Sequence, residues 1–300
     1  MYDQANRLRQ LVRDSATQDN TAQGKRPSLI VVASGKGGVG TTTVAVNLAV
    51  SLTRDGLQTV LVDANPRGGD VAILCGLEER YTLADVLSGQ RTINEALQRG
   101  PAAVQVLPGV WGAEGHCDEA PAASKRLIRQ LHALGGRAEL VVVDAGNTPD
   151  PLMQRFWQTA ELILLVTSPE DPSIVDTYAL IKALAENDLH GSIQLLVNLC
   201  PNTEVAESVY HRLAEACRRF LGVSLESAGH VPVTPRMPNL SLDSRCTATT
   251  TEPLVIAAPD SAAAAEFERL AKTSAASLAD ERVRQTPPPD HVLQRSRMTA

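Results

Sequence analysis

An apolar run, SLIVVAS over residues 28–34, is followed by Gly35-Lys36-Gly37-Gly38-Val39-Gly40-Thr41-Thr42-Thr43 and then by an apolar pattern of helical spacing. Glycines at 35, 37, 38 and 40 let successive backbone N–H groups turn inward around an anion. The helix that follows adds the positive end of its dipole. A glycine-rich stretch placed between a buried strand and a helix has the chemistry of a phosphate loop. The usual loop reads GxxxxGK[ST], so the lysine expected in line is Thr41 here. The hydroxyl of Thr42 is placed to cap the new helix whether or not an anion is bound.

Acids end two further apolar runs. TVLVDA (59–64) carries Asp63, followed by Asn65, and ELVVVDAG (139–146) carries Asp144. An acid at the carboxyl end of a buried strand either serves an adjacent site or caps the next helix, and residue type alone leaves both open. Asn65 can hydrogen-bond a water, but it cannot take its proton or supply negative charge. Asp70 lies five residues further on.

These groups need a frame. Strand-like runs at 28–34, 59–64, 104–109, 139–146, 162–168 and 192–198, with a shorter one near 226–232, alternate with helical patterns. The helical patterns begin at Thr42 and recur at 82–98, 122–134, 150–159, 173–186, 203–220 and 261–281, the last with Phe267, Leu270, Ser274 and Leu278 along one side. Such alternation, with continuous β-branched strands, predicts an α/β fold: a mostly parallel sheet with helices on both faces. The composition agrees, with 43% hydrophobic and only 3% aromatic residues in a chain of 300. A formal net charge of −6 gives no bulk attraction to nucleic acid, so no nucleic-acid partner is expected. Five scattered cysteines without metal-ligand spacing predict reduced thiols and a cytoplasmic protein. No apolar run reaches the roughly 18 residues of a membrane span. Residues 1–14 show an amphipathic helical pattern, 15–27 read as a flexible linker, 28–282 as the folded domain and 283–300 as a polar tail broken by Pro287, Pro288 and Pro289.

The string KGGVGTTT resembles the deviant Walker A motif KGGxGK[ST] of the MinD/ParA family of P-loop ATPases. The resemblance implies ATP or ADP with Mg2+ as cofactors, held by Gly35, Lys36, Gly37, Gly38, Val39, Gly40, Thr41, Thr42 and Thr43. It further implies that Thr42, Asp63 and Asp144 serve the metal and that Asn198 reads the adenine. Lys36 matches the signature lysine that crosses an ATP-dependent homodimer to the partner's nucleotide, and Asn65 stands where the family has the Asp that polarises the attacking water. Lys36 and Asn65 are thus the catalytic candidates, Asn65 in degenerate form. A charge-assisted hydrogen bond to phosphate is worth roughly 1.5–3 kcal/mol, so loss of the in-line lysine should weaken nucleotide binding about ten- to hundredfold. Missing both that cation and the acid, the site is expected to hydrolyse ATP weakly or not at all.

Two segments resemble the FlhG-type branch, which regulates flagellum number or placement. Asp3-Gln4-Ala5-Asn6-Arg7-Leu8-Arg9 matches DQAxxLR, the helix with which that branch engages the SRP-type GTPase FlhF. Asp3, Gln4, Ala5, Leu8 and Arg9 would form that contact, with Gln4 as the stimulating residue. VTSPEDPSIVDTYALIKAL (166–184) matches with Pro169, Glu170, Asp176, Tyr178 and Lys182 in register. The carboxyl-terminal end departs from the pattern, because its Ala-rich helix lacks the bulky apolar and cationic faces of a membrane-binding helix. Membrane attachment is therefore not expected, beyond a transient presence at the membrane or cell pole. Two other readings remain open at this level: an active ATP-driven dimerising switch in cell positioning or partitioning, and a related protein serving another polar system.

Overall fold

The computed structural model describes residues 26–66, 70–78, 80–109, 121–187, 189–234 and 252–285. The expected helix over 1–14, nearly all of the linker, the tail beyond residue 285 and the candidate residues Asp3, Gln4, Ala5, Leu8 and Arg9 lie outside them.

Eight strands form one sheet: β1 (Ser28–Ser34), β2 (Thr59–Asp63), β3 (Gln98–Arg99), β4 (Gln105–Leu107), β5 (Leu140–Asp144), β6 (Leu162–Thr167), β7 (Ser192–Cys200) and β8 (Glu226–Pro232). Their order is β3-β4-β2-β5-β1-β6-β7-β8. Every pairing is parallel except β3 with β4.

Alternate residues of each central strand enter two separate cores, as the two-residue period of a strand requires. Leu29, Val31, Val141, Val143, Ile163 and Leu165 face one layer and pack with Leu131, Phe156 and Trp157. Ile30, Val32, Val142, Leu162 and Leu164 face the other and pack with Val44, Leu48, Phe267 and Leu270. The first layer includes α3 (Leu83–Leu87), α4 (Ile93–Ala96), α5 (Pro121–His132), α6 (Pro151–Thr159), α7 (Asp171–Ala185) and α8 (Thr203–Phe220). The second is built on α1 (Thr41–Arg54), α2 (Asp70–Leu74), α9 (Leu254–Ala257) and α10 (Ala262–Gln285). Phe267, Leu270, Ser274 and Leu278 are all buried, so the stripe read along α10 docks on the sheet.

Local chemistry sets the helix starts. The Asp150 side chain accepts from the Met153 N–H at 2.7 Å and Pro151 opens α6. Asn202 accepts from the Val205 N–H at 2.9 Å to start α8. Each satisfies a donor that the first helical turn leaves without a partner.

One expected element divides, and α2 and α9 have no counterpart among the expected helices. The single helix read over 82–98 is two short helices, because Gly89 takes φ 80°, a left-handed conformation that ends the first. Thr82 with Asp85 and Thr92 with Glu95 then form separate capping boxes for α3 and α4. Residues 98 and 99 turn into β3 instead.

Candidate functional site

β1 lies between β5 and β6, and the chain leaves its carboxyl end into the glycine loop and α1. In open parallel sheets the crevice at such a carboxyl edge is where ligands bind. Gly38 (φ 83°) and Gly40 (φ 88°) both adopt left-handed conformations, and Gly40 directly precedes the first residue of α1. A Cβ at Gly35 would collide with the backbone carbonyl of Asp176 in α7, so only glycine lets the loop pass that helix. The loop therefore has the tight course and inward turn that an oxyanion cradle needs.

Thr41 is 8% exposed and donates its hydroxyl to Ser34 Oγ at 2.7 Å, while Ser34 donates to the Lys36 carbonyl at 3.0 Å. The side chain in the position of the in-line lysine is thus neutral, buried and occupied with the loop itself. Lys36 projects outward instead and pairs with Glu170, just before α7, at 3.1 Å. Glu170 is exposed and Lys36 partly so, and the pair contributes at most about 1 kcal/mol.

Asp63 and Asp144 are direct register partners across β2 and β5. Asp144 Oδ1 accepts from the Gly146 N–H at 3.2 Å, and Thr42 hydrogen-bonds the same carboxylate. Asp63 Oδ1 accepts from the Asn65 N–H at 3.2 Å. The Oδ2 atom of each acid is buried with no hydrogen-bond partner. Burial pushes Asp144 up to about 6, against the hydrogen bonds from Thr42 and Gly146. Burial, and then the neighbouring Asp144, hold Asp63 well above the usual carboxylate range. Two buried carboxylates side by side with an orphaned oxygen each are uncomfortable alone and well suited to a hard divalent cation. Among the described residues no group of three or more His, Cys, Asp or Glu could enclose an ion. A pair of carboxylates suits Mg2+, which keeps several waters and takes phosphate oxygens alongside one or two carboxylates.

The Asn65 side chain lies against the backbone of Gly146, where a Cβ on that glycine would meet it. Asn198, in β7, donates Nδ2 to the Val39 carbonyl at 2.8 Å and leaves Oδ1 buried and unpartnered. The candidate residues from Gly35 to Thr43, with Asp63, Asn65, Asp144 and Asn198, are thus brought to one edge of the sheet. Ser34 and Glu170 complete the contacts. Ser34 carried no signal beyond adjacency to the loop, whereas Glu170 had stood out only through its matching segment.

Fold, loop and acid pair define the class, an α/β protein of the P-loop NTPase type. A ParA family model, described as NUBPL iron-transfer P-loop NTPase, matches residues 26–97. The antiactivator FleN of Pseudomonas aeruginosa is 32% identical over 204 residues, covering 68% of this chain and 73% of FleN. The flagellum site-determining protein YlxH of Helicobacter pylori is 24% identical over 226 residues, 75% of this chain and 76% of YlxH. Among solved structures, the septum site-determining protein MinD of Pyrococcus horikoshii, complexed with Mg-ADP, superposes with a TM-score of 0.65 at 24% identity, over 83% of this chain and 96% of MinD. The chain belongs to the MinD/ParA family, on the branch of its FleN- and FlhG-type members.

Proposed function

We propose that this protein regulates flagellum number or placement by acting on an FlhF-type GTPase through its first 14 residues, while its own site binds Mg-nucleotide and turns it over weakly or not at all. The flagellar assignment draws on the relatives FleN and YlxH and on the DQAxxLR match at Asp3–Arg9. The observation that carries the enzymatic half is Thr41, whose buried hydroxyl is bonded to Ser34 where the family places a cation.

In this reading the loop amides from Gly35 to Thr43 cradle the phosphates, and Thr42, Asp63 and Asp144 hold Mg2+. When bound, that ion neutralises phosphate charge. Asn198 Oδ1, an acceptor without a partner, suits the exocyclic amine of adenine. Asn65 orients water without taking its proton. No helix among the described residues is long and apolar enough to cross a membrane.

Full-length protein added to an FlhF-type GTPase should raise GTP hydrolysis, and Gln4→Ala should cancel the rise. No stimulation at saturating protein would remove the proposed partner. A second reading, an ATP-driven dimerising switch, is favoured by the intact acid pair and by Lys36, whose partly exposed ion pair with Glu170 can open toward a partner copy. Brisk Mg-ATP turnover that disappears in Lys36→Ala would select it.

A further inference from the structure

Leu199 takes φ 54°, a left-handed conformation that a residue with a Cβ adopts only at a cost. It lies in β7 between Asn198 and Cys200, where the ladder to β8 is irregular. The register runs from Val197 to Cys200 on β7 while its partner runs only from His230 to Pro232, so β7 carries one residue more. Leu199 is the extra residue of a β-bulge. The side chains around it show why the strand needs one. Leu195, Val197 and Cys200 pack into the first layer, and Leu196 packs into the second together with Val39 of the glycine loop. Unbroken alternation from Leu196 would put both Asn198 and Cys200 on the second-layer side. With the extra residue, Asn198 reaches the loop while Cys200 still enters the first layer.

From this placement we propose that Leu199 is a positioning residue for base recognition: its left-handed turn holds Asn198 so that the site favours a ring bearing an amine over one bearing a carbonyl. The proposal rests on the reading that this site takes an adenine nucleotide. Asn198 is 1% exposed, and its Nδ2 is committed to the Val39 carbonyl and packs on Gly40, where a Cβ would meet it at 2.5 Å. That leaves Oδ1, buried and unpartnered, as the atom offered to a ligand, and an amide oxygen accepts but cannot donate. Cys200 has less freedom to yield. It is fully buried, its thiol donates to the Asn202 carbonyl at 3.1 Å, and its own carbonyl accepts from the Val233 N–H at 3.2 Å. If Leu199 is driven out of the left-handed region, the strand regularises, and Asn198 is the side chain that turns away from the loop.

The test is calorimetric titration of full-length protein with ADP and with inosine diphosphate, each with Mg2+, the second ligand carrying a carbonyl where adenine carries its amine. The parent should prefer ADP by about tenfold, the order of one hydrogen bond. Leu199→Val, whose branched Cβ resists the left-handed region most strongly, should lose that preference and match Asn198→Ala. Leu199→Gly and Leu199→Asn, which accept the conformation, should keep it. Leu199→Thr, also branched, repeats the comparison if the Val variant does not fold. A folded Val or Thr variant with the parent's preference, or a Gly variant without it, would overturn the positioning role alone. A parent that binds both ligands equally would overturn the assignment of Asn198 too, and one that binds neither would overturn the nucleotide reading as well.

Discussion

Thr41 decides how the loop meets an anion. With its hydroxyl given to Ser34, the loop presents backbone dipoles and a helix end but no point charge at that position. Such a cradle still attracts phosphate, though with less energy and less discrimination between charge states. Thr41→Lys should therefore tighten ADP binding about ten- to hundredfold by calorimetry, because it restores an interaction worth roughly 1.5–3 kcal/mol. The gain in turnover should be smaller, since Asn65 still lacks a carboxylate. Combining Thr41→Lys with Asn65→Asp should raise hydrolysis beyond either change alone. A Thr41→Lys protein with unaltered ADP affinity would mean that the lost cation is not what limits binding.

At the scale of elements, the loop is shaped by what passes behind it. Gly35 touches the backbone of α7, and that helix is fastened to β6 by a buried hydroxyl chain in which Thr177 donates to Thr167 at 3.0 Å and Ser173 lies 2.9 Å from Thr167. Nothing in this contact is a flexible side chain that could yield. Gly35→Ala should accordingly displace the loop or α7, lowering unfolding free energy by roughly 1–3 kcal/mol in denaturant titration and weakening ADP binding in the same protein. Equal stability of variant and parent would mean the two backbones separate freely.

The elements also show what a single sequence reveals. Strands such as Leu140–Asp144 are buried on both faces, so they stand out as unbroken apolar runs. The interval 82–98 misled because Leu83, Val86, Leu87, Ile93 and Ala96 keep a helical spacing through Gly89. Its two Thr-x-x-acid boxes were the signal that separates α3 from α4. Strand β3, with two residues, and α9, with four, are too short to leave a periodicity. At the site, the loop and the acids Asp63 and Asp144 were legible because each ends an apolar run. Asp70 was visible only as an acid at an unmatched spacing.

For the molecule as a whole, the buried acid pair sets a pH dependence. Asp144 titrates near 6 in the folded chain against 3.8 as its ordinary value. Between those values the folded state binds more protons than the unfolded one, so this group's contribution is full below about 3.8 and is lost as pH rises through about 6. At about 1.4 kcal/mol per unit the loss is at most about 3 kcal/mol, and Asp63 adds to it in the same direction. Metal-free protein should melt lower at pH 7 than at pH 5 relative to Asp144→Asn, and Mg2+ with ADP should narrow the gap. Thermal melts of both proteins across that range provide the check, and parallel profiles would show that Asp144 does not carry the effect.

The margins of the sheet bear on how copies of this chain meet. At one margin β3 offers two residues, and at the other β8 is interrupted by register shifts and ends on Pro232, which has no amide hydrogen to give. Among the described residues neither margin is a long, regular strand of the kind that favours edge-to-edge addition. Pairing between copies, where it happens, is left to the loops above the carboxyl ends of the strands and to helix surfaces, and the symmetry of that contact, not the sheet, sets the size of the assembly.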